Sequence, residues 1–164
     1  MEPHMTDAMR IAYLADYPGH VPTLASWIFR HWGRMYRMKS VEEQIERLSE
    51  RLNKDKLPLA LVALADSEPV GTASLKIREM TTHPHLHDWL GTVYVAEDHR
   101  NRGIGTALVR RAEEEAKRLG IGTLYLHTPD KEDFYAKRGW VAIERPVYYG
   151  MPVVVMKKRL AIAR

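Results

Sequence analysis

The sequence predicts a single α/β domain in which a mixed β-sheet carries helices on both faces. The chain has 164 residues, the length of one ordinary domain, so we treat residues 1–164 as a single unit. Hydrophobic residues make up 45% of the chain and charged residues 28%, which is the balance of a globular protein with its own core. Short apolar segments alternate with amphipathic helical segments, and that order folds as a sheet covered by helices.

The first half of the chain predicts one strand, two helices and a β-hairpin. The first helix begins with Pro22, a residue type that is favoured at helix N-termini. At the start of the second helix, Ser40 and Glu43 have the spacing of a capping box, in which side chains satisfy free backbone N–H groups. The predicted strand spans residues 10–15, the helices 22–32 and 40–53, and the hairpin strands 58–65 and 70–78.

The second half predicts a strand, a glycine-rich turn, a long helix, another strand, a short helix and two final strands. The long helix is expected to end at Gly120, because helices commonly end at a glycine, and the short helix is expected to stop before Gly139. The predicted strands span residues 89–95, 123–127, 140–147 and 152–157, and the predicted helices span residues 106–119 and 130–137.

The charge and composition narrow the classes of partner. A formal net charge of +4 and a pI of about 9.3 suit a polyanionic partner, either nucleic acid or a phosphate-rich cofactor. We expect no nucleic-acid binding, because no basic helix with interleaved aromatic residues is present. We also expect no membrane association, since there is no apolar run of about 18 residues. The absence of cysteine and of a signal-peptide pattern predicts a cytoplasmic protein.

A glycine-rich turn follows the strand at residues 89–95 and leads directly into the long helix. Gly103 and Gly105 allow the chain to turn tightly, because glycine has no Cβ to clash. The first N–H groups of a helix lack partners within the helix, and the aligned peptide dipoles add about half a positive charge there. Arg100 and Arg102 raise the positive potential further. These features predict a binding site for a pyrophosphate.

The spacing of the glycines distinguishes among the known types of phosphate-binding turn. A Walker turn ends in Gly-Lys followed by Ser or Thr, whereas Gly105 is followed by Thr106. A dinucleotide-binding turn requires a small residue at the position of Leu108. The pattern that fits is Arg-x-x-Gly-x-Gly at residues 100–105. This hexapeptide resembles the acetyl-CoA-binding signature of the GNAT acetyltransferase family.

The segments around the hexapeptide are similar to the same family over nearly the whole chain. A strand precedes the turn, a helix and a strand follow, and the pair Phe134-Tyr135 stands shortly before Gly139-Trp140. The resemblance implies the GNAT fold, which has a mixed, mostly antiparallel central sheet, helices on both faces and a splayed central strand pair. It also implies acetyl-CoA as the cosubstrate, with no metal.

The resemblance implies roles for individual residues. Backbone groups of the strand at residues 93–95 would hydrogen-bond the pantetheine arm of CoA, and backbone N–H groups of residues 101–106 would hold the pyrophosphate. Tyr135 would donate a proton to the leaving CoA sulfur, a task that suits a weak acid. The residues expected to bind the cofactor are Val93, Tyr94, Val95, Arg100, Asn101, Arg102, Gly103, Ile104, Gly105 and Thr106.

An amine must be neutral to attack a thioester, yet a free lysine amine has a pKa of about 10.4. A base or a chain of water molecules is therefore needed at neutral pH. We predict that His87 or Asp88 is this base, because both stand just before the cofactor strand; a water relay without a single base is the alternative. His83, Glu79 and Glu97 are further candidates.

Two clusters allow a structural and a functional interpretation. His83, His85 and His87 alternate along the chain and would share one face of a strand, as metal ligands can. Pro84 disturbs that strand, so we predict a solvated loop that lines the acceptor cleft and no metal site.

The basic residues near the end of the first helix either form a solvated face or attract an acidic acceptor; they are Arg30, Arg34, Arg37 and Lys39.

These observations predict an N-acetyltransferase that moves an acetyl group from acetyl-CoA to a primary amine by direct attack in a ternary complex. The acceptor would be a small-molecule amine, an amino acid or the N-terminus of a protein. The sequence leaves a homodimer open. The alternative function is a sensor or regulatory domain that binds acyl-CoA without catalysis.

Overall fold

A computed structural model describes residues 9–161 of the chain. None of the helices within that range combines the length and the apolar content that crossing a bilayer requires. The strands are β1 (Met9–Tyr13), β2 (Leu59–Ala65), β3 (Glu68–Lys76), β4 (Trp89–Val95), β5 (Thr123–Thr128), β6 (Val141–Glu144), β7 (Val147–Tyr148), β8 (Met151–Pro152) and β9 (Val154–Arg159). The α-helices are α1 (Val21–Trp32), α2 (Val41–Ser49), α3 (Ile104–Arg118) and α4 (Glu132–Ala136), and 3₁₀ turns occur at residues 14–16, 18–20 and 97–99.

The main sheet has seven strands in the order β1-β2-β3-β4-β5-β9-β6. The central neighbours β4 and β5 are parallel, and all other neighbouring strands of this sheet are antiparallel. α3 packs against one face of the sheet, whereas α1 and α2 pack against the other face. The predicted fold class, a mixed and mostly antiparallel sheet with helices on both faces, is confirmed.

β2 shows how one strand serves both apolar clusters of the core. Successive side chains of a strand point to opposite faces of the sheet. Leu61 therefore packs in the cluster that contains Leu108 of α3, while Val62 packs in the cluster that contains Ile28 of α1. Both side chains are fully buried. Burial on two faces explains why this segment is a continuous apolar run in the sequence rather than an alternating one.

The helix ends that border the site are set by local interactions. Ser40 caps α2 as predicted, because its Oγ accepts a hydrogen bond of 3.1 Å from the Glu43 N–H. α3 begins at Ile104, two residues earlier than predicted, so that Gly105 lies inside its first turn. Gly103 precedes the helix with a φ of 80°, a left-handed conformation that glycine adopts without steric cost.

The strand predicted at residues 140–147 is divided in the structure. β6 ends at Glu144 and pairs with β9, whereas β7 pairs with β8 in a separate two-stranded sheet. Pro146 lies between β6 and β7, and proline cannot donate the backbone hydrogen bond that a continuous ladder requires. The small sheet brings Tyr148 and Tyr149 beside the cavity of the candidate site.

Candidate active site

The central strands β4 and β5 separate soon after they meet. Trp89, the first residue of β4, pairs with Tyr125, the third residue of β5, and the Tyr125 N–H donates a 3.0 Å hydrogen bond to the Asp88 carbonyl. Beyond this point the described part of the chain shows no further pairing between the two strands. The facing flanks of β4 and β5 therefore carry backbone N–H and C=O groups that lack a strand partner. An extended ligand can occupy such a gap in the manner of an added strand.

A β-bulge bends β4 within this gap. The register of β4 against β3 shifts between Thr72 and Ser74, so that the segment Thr92–Val93 stands opposite Ala73 alone. Thr92 has a φ of 47°, which is a strained conformation for a β-branched residue. A bulge leaves one residue of the ladder unpaired and redirects its neighbours, and bulges are frequent beside active sites.

A cavity of about 460 Å³ opens at the bulge. Residues from the end of α1 and the loop after it, from β4, from the segment after β5 and from the β7–β8 sheet form its walls. A volume of this size suits a small organic ligand. The aromatic side chains that line the cavity are Trp32, Tyr36, Tyr135, Tyr148 and Tyr149.

The glycine-rich turn lies at the protein surface, at the start of α3. No side chain caps this helix, so the N–H groups of its first turn have no partner within the helix or from a capping residue. A Cβ atom built on Gly103 would meet nothing within 4 Å, which shows open space at the turn. Asn101 and Arg102 are exposed there. Arg100 folds back, since its Nε donates a 2.9 Å hydrogen bond to the Val95 carbonyl.

Arg138 adds a further positive charge beside this turn. Its Nε donates a 3.1 Å hydrogen bond to Thr106 Oγ1, and its Nη1 donates one of 2.6 Å to the Phe134 carbonyl. The guanidinium carbon lies 3.6 Å from the centre of the Phe134 ring, within the range of a cation–π contact. Arg138 thereby joins the segment around α4 to the first turn of α3 and makes that helix end more attractive to an anion.

Tyr135 is held rigidly between these elements and lines the cavity. Its side chain is buried, and its ring contacts those of Phe134 and Trp140 at centroid distances of 5.0 and 6.0 Å. Burial raises the pKa of the Tyr135 phenol well above its ordinary value, because ionisation would place a charge in an apolar environment. The phenol therefore keeps its proton at neutral pH.

The sequence matches one known protein family over most of its length. The model of the acetyltransferase (GNAT) family matches residues 7–140, which is most of the chain. The chain belongs to the GNAT acetyltransferase family. No curated protein matches it.

Solved structures similar to this GNAT chain have the same fold. An aminoglycoside 6′-acetyltransferase type Ii is 23% identical, with a TM-score of 0.74 over 94% of this chain and 99% of the other. An aminoglycoside 6′-N-acetyltransferase in complex with coenzyme A is 19% identical, with a TM-score of 0.73 over 94% and 99%. A GNAT-family acetyltransferase from Streptococcus pneumoniae is 19% identical, with a TM-score of 0.68 over 93% and 99%. These similarities establish the GNAT fold of the chain.

Four ionisable residues deep in the cavity, Arg51, Lys76, Glu79 and His127, form what we call the inner cluster. The Lys76 ammonium donates hydrogen bonds of 2.9 and 3.1 Å to the two carboxylate oxygens of Glu79. Burial lowers the pKa of Lys76 to about 8, although the Glu79 carboxylate acts in the opposite direction. Burial alone would raise the pKa of Glu79, but Lys76, His127 and Arg51 together outweigh that effect and the pKa lies below its ordinary value.

His127 of β5 is the inner-cluster residue with an unsatisfied polar atom. Its Nδ1 is buried and has no hydrogen-bond partner among the described residues. The rings of Tyr36, Trp89 and Tyr148 surround the imidazole at centroid distances of 5.7, 6.3 and 5.5 Å. Burial lowers the pKa of His127 below its ordinary value, since an imidazolium would be poorly solvated there. The imidazole is therefore neutral at pH 7 and can accept a proton or a hydrogen bond.

Because the pKa of His127 is lowered in the folded protein, we expect the stability of the protein to fall as the pH falls below 6.5. Below pH 6.5 the unfolded chain binds a proton at this residue while the folded chain does not, so acidification favours unfolding. The stability that neutral His127 contributes is present above pH 6.5 and is lost as the pH falls towards its folded pKa. Differential scanning fluorimetry measures the melting temperature at pH 7.5 and at pH 5.5. We expect the decrease between the two pH values to be smaller in His127→Gln than in the wild type. His85→Gln, at an exposed position, is the control, and equal pH dependence in all three proteins would contradict the prediction.

Most of the residues that the sequence offers as the general base lie outside the cavity. His87 and Asp88 are outside the cavity lining, and the exposed His87 places its Nδ1 3.1 Å from Asp88 Oδ2. Glu97 borders a separate, shallower recess, and His83 bonds elsewhere. Of these five candidates, Glu79 alone lines the cavity. The role of His87 or Asp88 as a base stays a prediction.

The histidine cluster and the cofactor strand are also resolved in detail. His83 donates or accepts hydrogen bonds with Thr82 at 2.8 Å and with Glu144 at 2.9 Å, and its ring stacks on His85. Within residues 9–161, no group of three His, Asp or Glu side chains has an arrangement that could hold a metal ion. On the cofactor strand, Tyr94 is not part of the cavity lining, and its ring contacts three aromatic residues of α1.

Sequence reasoning did not identify Arg51 or His127 as site residues. Arg51 follows α2 and His127 lies in an alternating strand, so each looks like an ordinary surface or core residue in its local sequence. A signal was present in β5, where a histidine occupies a position in a short apolar strand that precedes the Thr128–Lys131 turn. The importance of both residues becomes visible only when the strands and helices are assembled.

Proposed function

We propose that this GNAT protein is an acetyl-CoA-dependent N-acetyltransferase that acetylates a primary amine by direct attack in a ternary complex. The proposal depends on one observation, the gap between β4 and β5. The uncapped N-terminal end of α3 lies beside this gap, and the gap opens into a cavity whose lining includes the protonated phenol of Tyr135. The solved relative that contains coenzyme A supports the choice of cosubstrate.

The residues of this chain fit coenzyme A. The free N–H groups at the start of α3, with open space at Gly103 and the Arg138 guanidinium close by, suit a diphosphate. The unpaired flank of β4 suits the amide groups of the pantetheine arm, because those groups need hydrogen-bond partners. Val93 and Val95 are the residues of β4 that we assign to this contact, with Val95 contributing its N–H because its carbonyl already accepts a hydrogen bond from Arg100.

When bound, acetyl-CoA supplies a thioester carbonyl. A neutral amine attacks its carbon and forms a C–N bond, while the C–S bond breaks and the sulfur leaves as a thiolate. A backbone N–H group of the bulge donates a hydrogen bond to the carbonyl oxygen as negative charge develops there. Tyr135 gives its phenolic proton to the departing sulfur, and solvent restores that proton. The amine loses one proton, and the products are an N-acetyl amide and a thiol.

We propose that the proton lost by the amine passes through a chain of water molecules to the inner cluster. His127 offers a neutral imidazole with an unpaired Nδ1 that lies in the same cavity as Tyr135. Glu79 remains ionised because Lys76 lowers its pKa, so it attracts the proton electrostatically but is itself a weak base. This relay corresponds to the alternative to a single base such as His87 or Asp88.

Calorimetry and a turnover assay test the proposed function together. We expect acetyl-CoA to bind with a stoichiometry of one, and thiol release to require both acetyl-CoA and an amine from a mixed panel. Binding of acetyl-CoA without thiol release on any amine would favour a sensor instead. No binding of acetyl-CoA or CoA would overturn both functions, and desulfo-CoA serves as a ligand control that lacks the reacting sulfur.

A further inference from the structure

The cavity that the proposed function uses for the acceptor is strongly positive. Cationic side chains outnumber carboxylates in its lining by six to three. The cations are Arg37, Lys39, Arg47, Arg51, Lys76 and Lys131, and the carboxylates are Glu43, Glu79 and Asp130. Two of the carboxylates pair with two of these cations, since Glu79 lies 2.9 Å from Lys76 and Glu43 lies 3.9 Å from Arg47. Outside these two pairs, four cations face the single carboxylate of Asp130. Such a field attracts anions and repels polycations.

Arg51 is the charge that most needs a partner. Its side chain is only 8% exposed, and its guanidinium is always protonated in practice. Nη1 donates hydrogen bonds to Ser74 Oγ at 3.1 Å and to Thr92 Oγ1 at 3.4 Å, both of which are neutral groups. Glu79 acts on Arg51 electrostatically, but the two side chains form no ion pair among the described residues, and the Glu79 carboxylate is bonded to Lys76 instead. The Nε and Nη2 groups of Arg51 donate no hydrogen bond within that part of the chain, so this edge of the guanidinium is free for an incoming carboxylate.

The position of Arg51 connects this charge to the chemistry. Thr92, which accepts one of its hydrogen bonds, is the strained residue of the β4 bulge. The bulge is where the proposed function places the thioester carbonyl. An anion held by the free edge of the Arg51 guanidinium would therefore lie close to the reacting carbon. A planar carboxylate matches that edge, because two parallel N–H groups can bind its two oxygens.

From this arrangement we propose that the acceptor is an amine that also carries a carboxylate, and that Arg51 binds this carboxylate. The inference rests on the proposed function and narrows its substrate class. Arg37, Lys39 and Arg47 surround the mouth and draw the anion towards Arg51. The same cations lower the pKa of a nearby ammonium group, which increases the fraction of the acceptor that is neutral and reactive. Polycationic amines of the aminoglycoside type are disfavoured by this field.

Matched pairs of amines test the proposal. We would measure kcat and KM by thiol release for lysine against cadaverine and for phenylalanine against phenethylamine, with kanamycin as a polycation. We expect kcat/KM to be about 10-fold or more higher for the carboxylated member of a pair that is accepted. Equal or higher kcat/KM for the decarboxylated amines, or a preference for kanamycin, would overturn the proposal while leaving the acetyltransferase function intact.

Variants connect the preference to Arg51. Arg51→Gln should lower the ratio of kcat/KM for the carboxylated amine to kcat/KM for its decarboxylated partner by about 10-fold or more, whereas Arg51→Lys should retain part of the preference. Arg34→Gln is the matched control, because Arg34 lies in the same region but outside the cavity lining. If Arg51→Gln does not fold, the exposed Arg47→Gln should still raise KM several-fold for carboxylated amines only. An unchanged preference in the folded variants would contradict the assignment.

A second readout covers the case in which no panel amine is turned over. The melting temperature of the CoA-saturated protein is then measured with each member of the matched pairs. We expect a larger increase with the carboxylated member, and a smaller one in the Arg51 or Arg47 variant. No difference within the pairs would overturn the proposal. Failure of acetyl-CoA to bind in calorimetry would separately contradict the proposed function.

Discussion

Tyr135→Phe should lower kcat by about 100-fold or more and leave the dissociation constant for acetyl-CoA nearly unchanged. The substitution removes one hydroxyl group from a buried ring that packs on Phe134 and Trp140, so the shape of the cavity wall is conserved. What is lost is the proton that the leaving sulfur requires. Steady-state thiol release gives kcat, and calorimetry gives the affinity.

A second tyrosine provides the matched control for this variant. Tyr125 lies on β5 and packs on Trp89, outside the cavity lining. Tyr125→Phe also removes one phenolic hydroxyl group, at a position outside the cavity lining, and we expect its kcat to match the wild type. A Tyr135→Phe enzyme that retains full kcat would eliminate the phenol as the acid. Equal losses in both variants would point to a structural effect instead.

Gly103→Val should weaken acetyl-CoA binding by about 10-fold or more. The new side chain projects into the open space at the turn, in front of the N–H groups that we assign to the diphosphate. A valine at a φ of 80° is also strained, which we expect to lower the free energy of unfolding by about 1–2 kcal/mol. Calorimetry with acetyl-CoA measures the first effect, and urea denaturation measures the second.

The other end of the same helix supplies the control. Gly120 has a φ of 81°, and a Cβ there also meets nothing within 4 Å. Gly120→Val therefore introduces the same backbone strain at the C-terminal end of α3, far along the helix from the turn. We expect both variants to lose similar stability and only Gly103→Val to lose affinity. Equal affinity in the two variants would contradict the assignment of the diphosphate to this turn.

The parts of the molecule that sequence predicted well are those determined by local interactions. The capping of α2 by Ser40 depends on one hydrogen bond across three residues, and the turn at Gly103 depends on the conformational freedom of a single residue. The strand β4 was predicted at residues 89–95, the bounds that the structure shows. Order along the chain then indicated the sheet, because connections between such elements follow few rules.

The interior of the cavity could not be predicted in the same way. The inner cluster joins the end of α2, the end of β3, the segment after it and β5. Only the assembled sheet brings Arg51 beside Thr92, which is 41 positions away. The shift of register in β4 is likewise invisible in sequence, since it depends on how two strands align with each other rather than on either strand alone.

The divergence of β4 from β5 also has a mechanical consequence. With one paired position between them, the domain consists of two half-sheets, β1–β4 and β5, β9 and β6, joined by a narrow seam. A ligand that bonds to both edges acts as an internal cross-link between these halves. Amide hydrogens on either edge should then exchange with solvent more slowly when the seam is filled, and the melting temperature of the whole domain should rise with the logarithm of the ligand concentration once that concentration exceeds the dissociation constant.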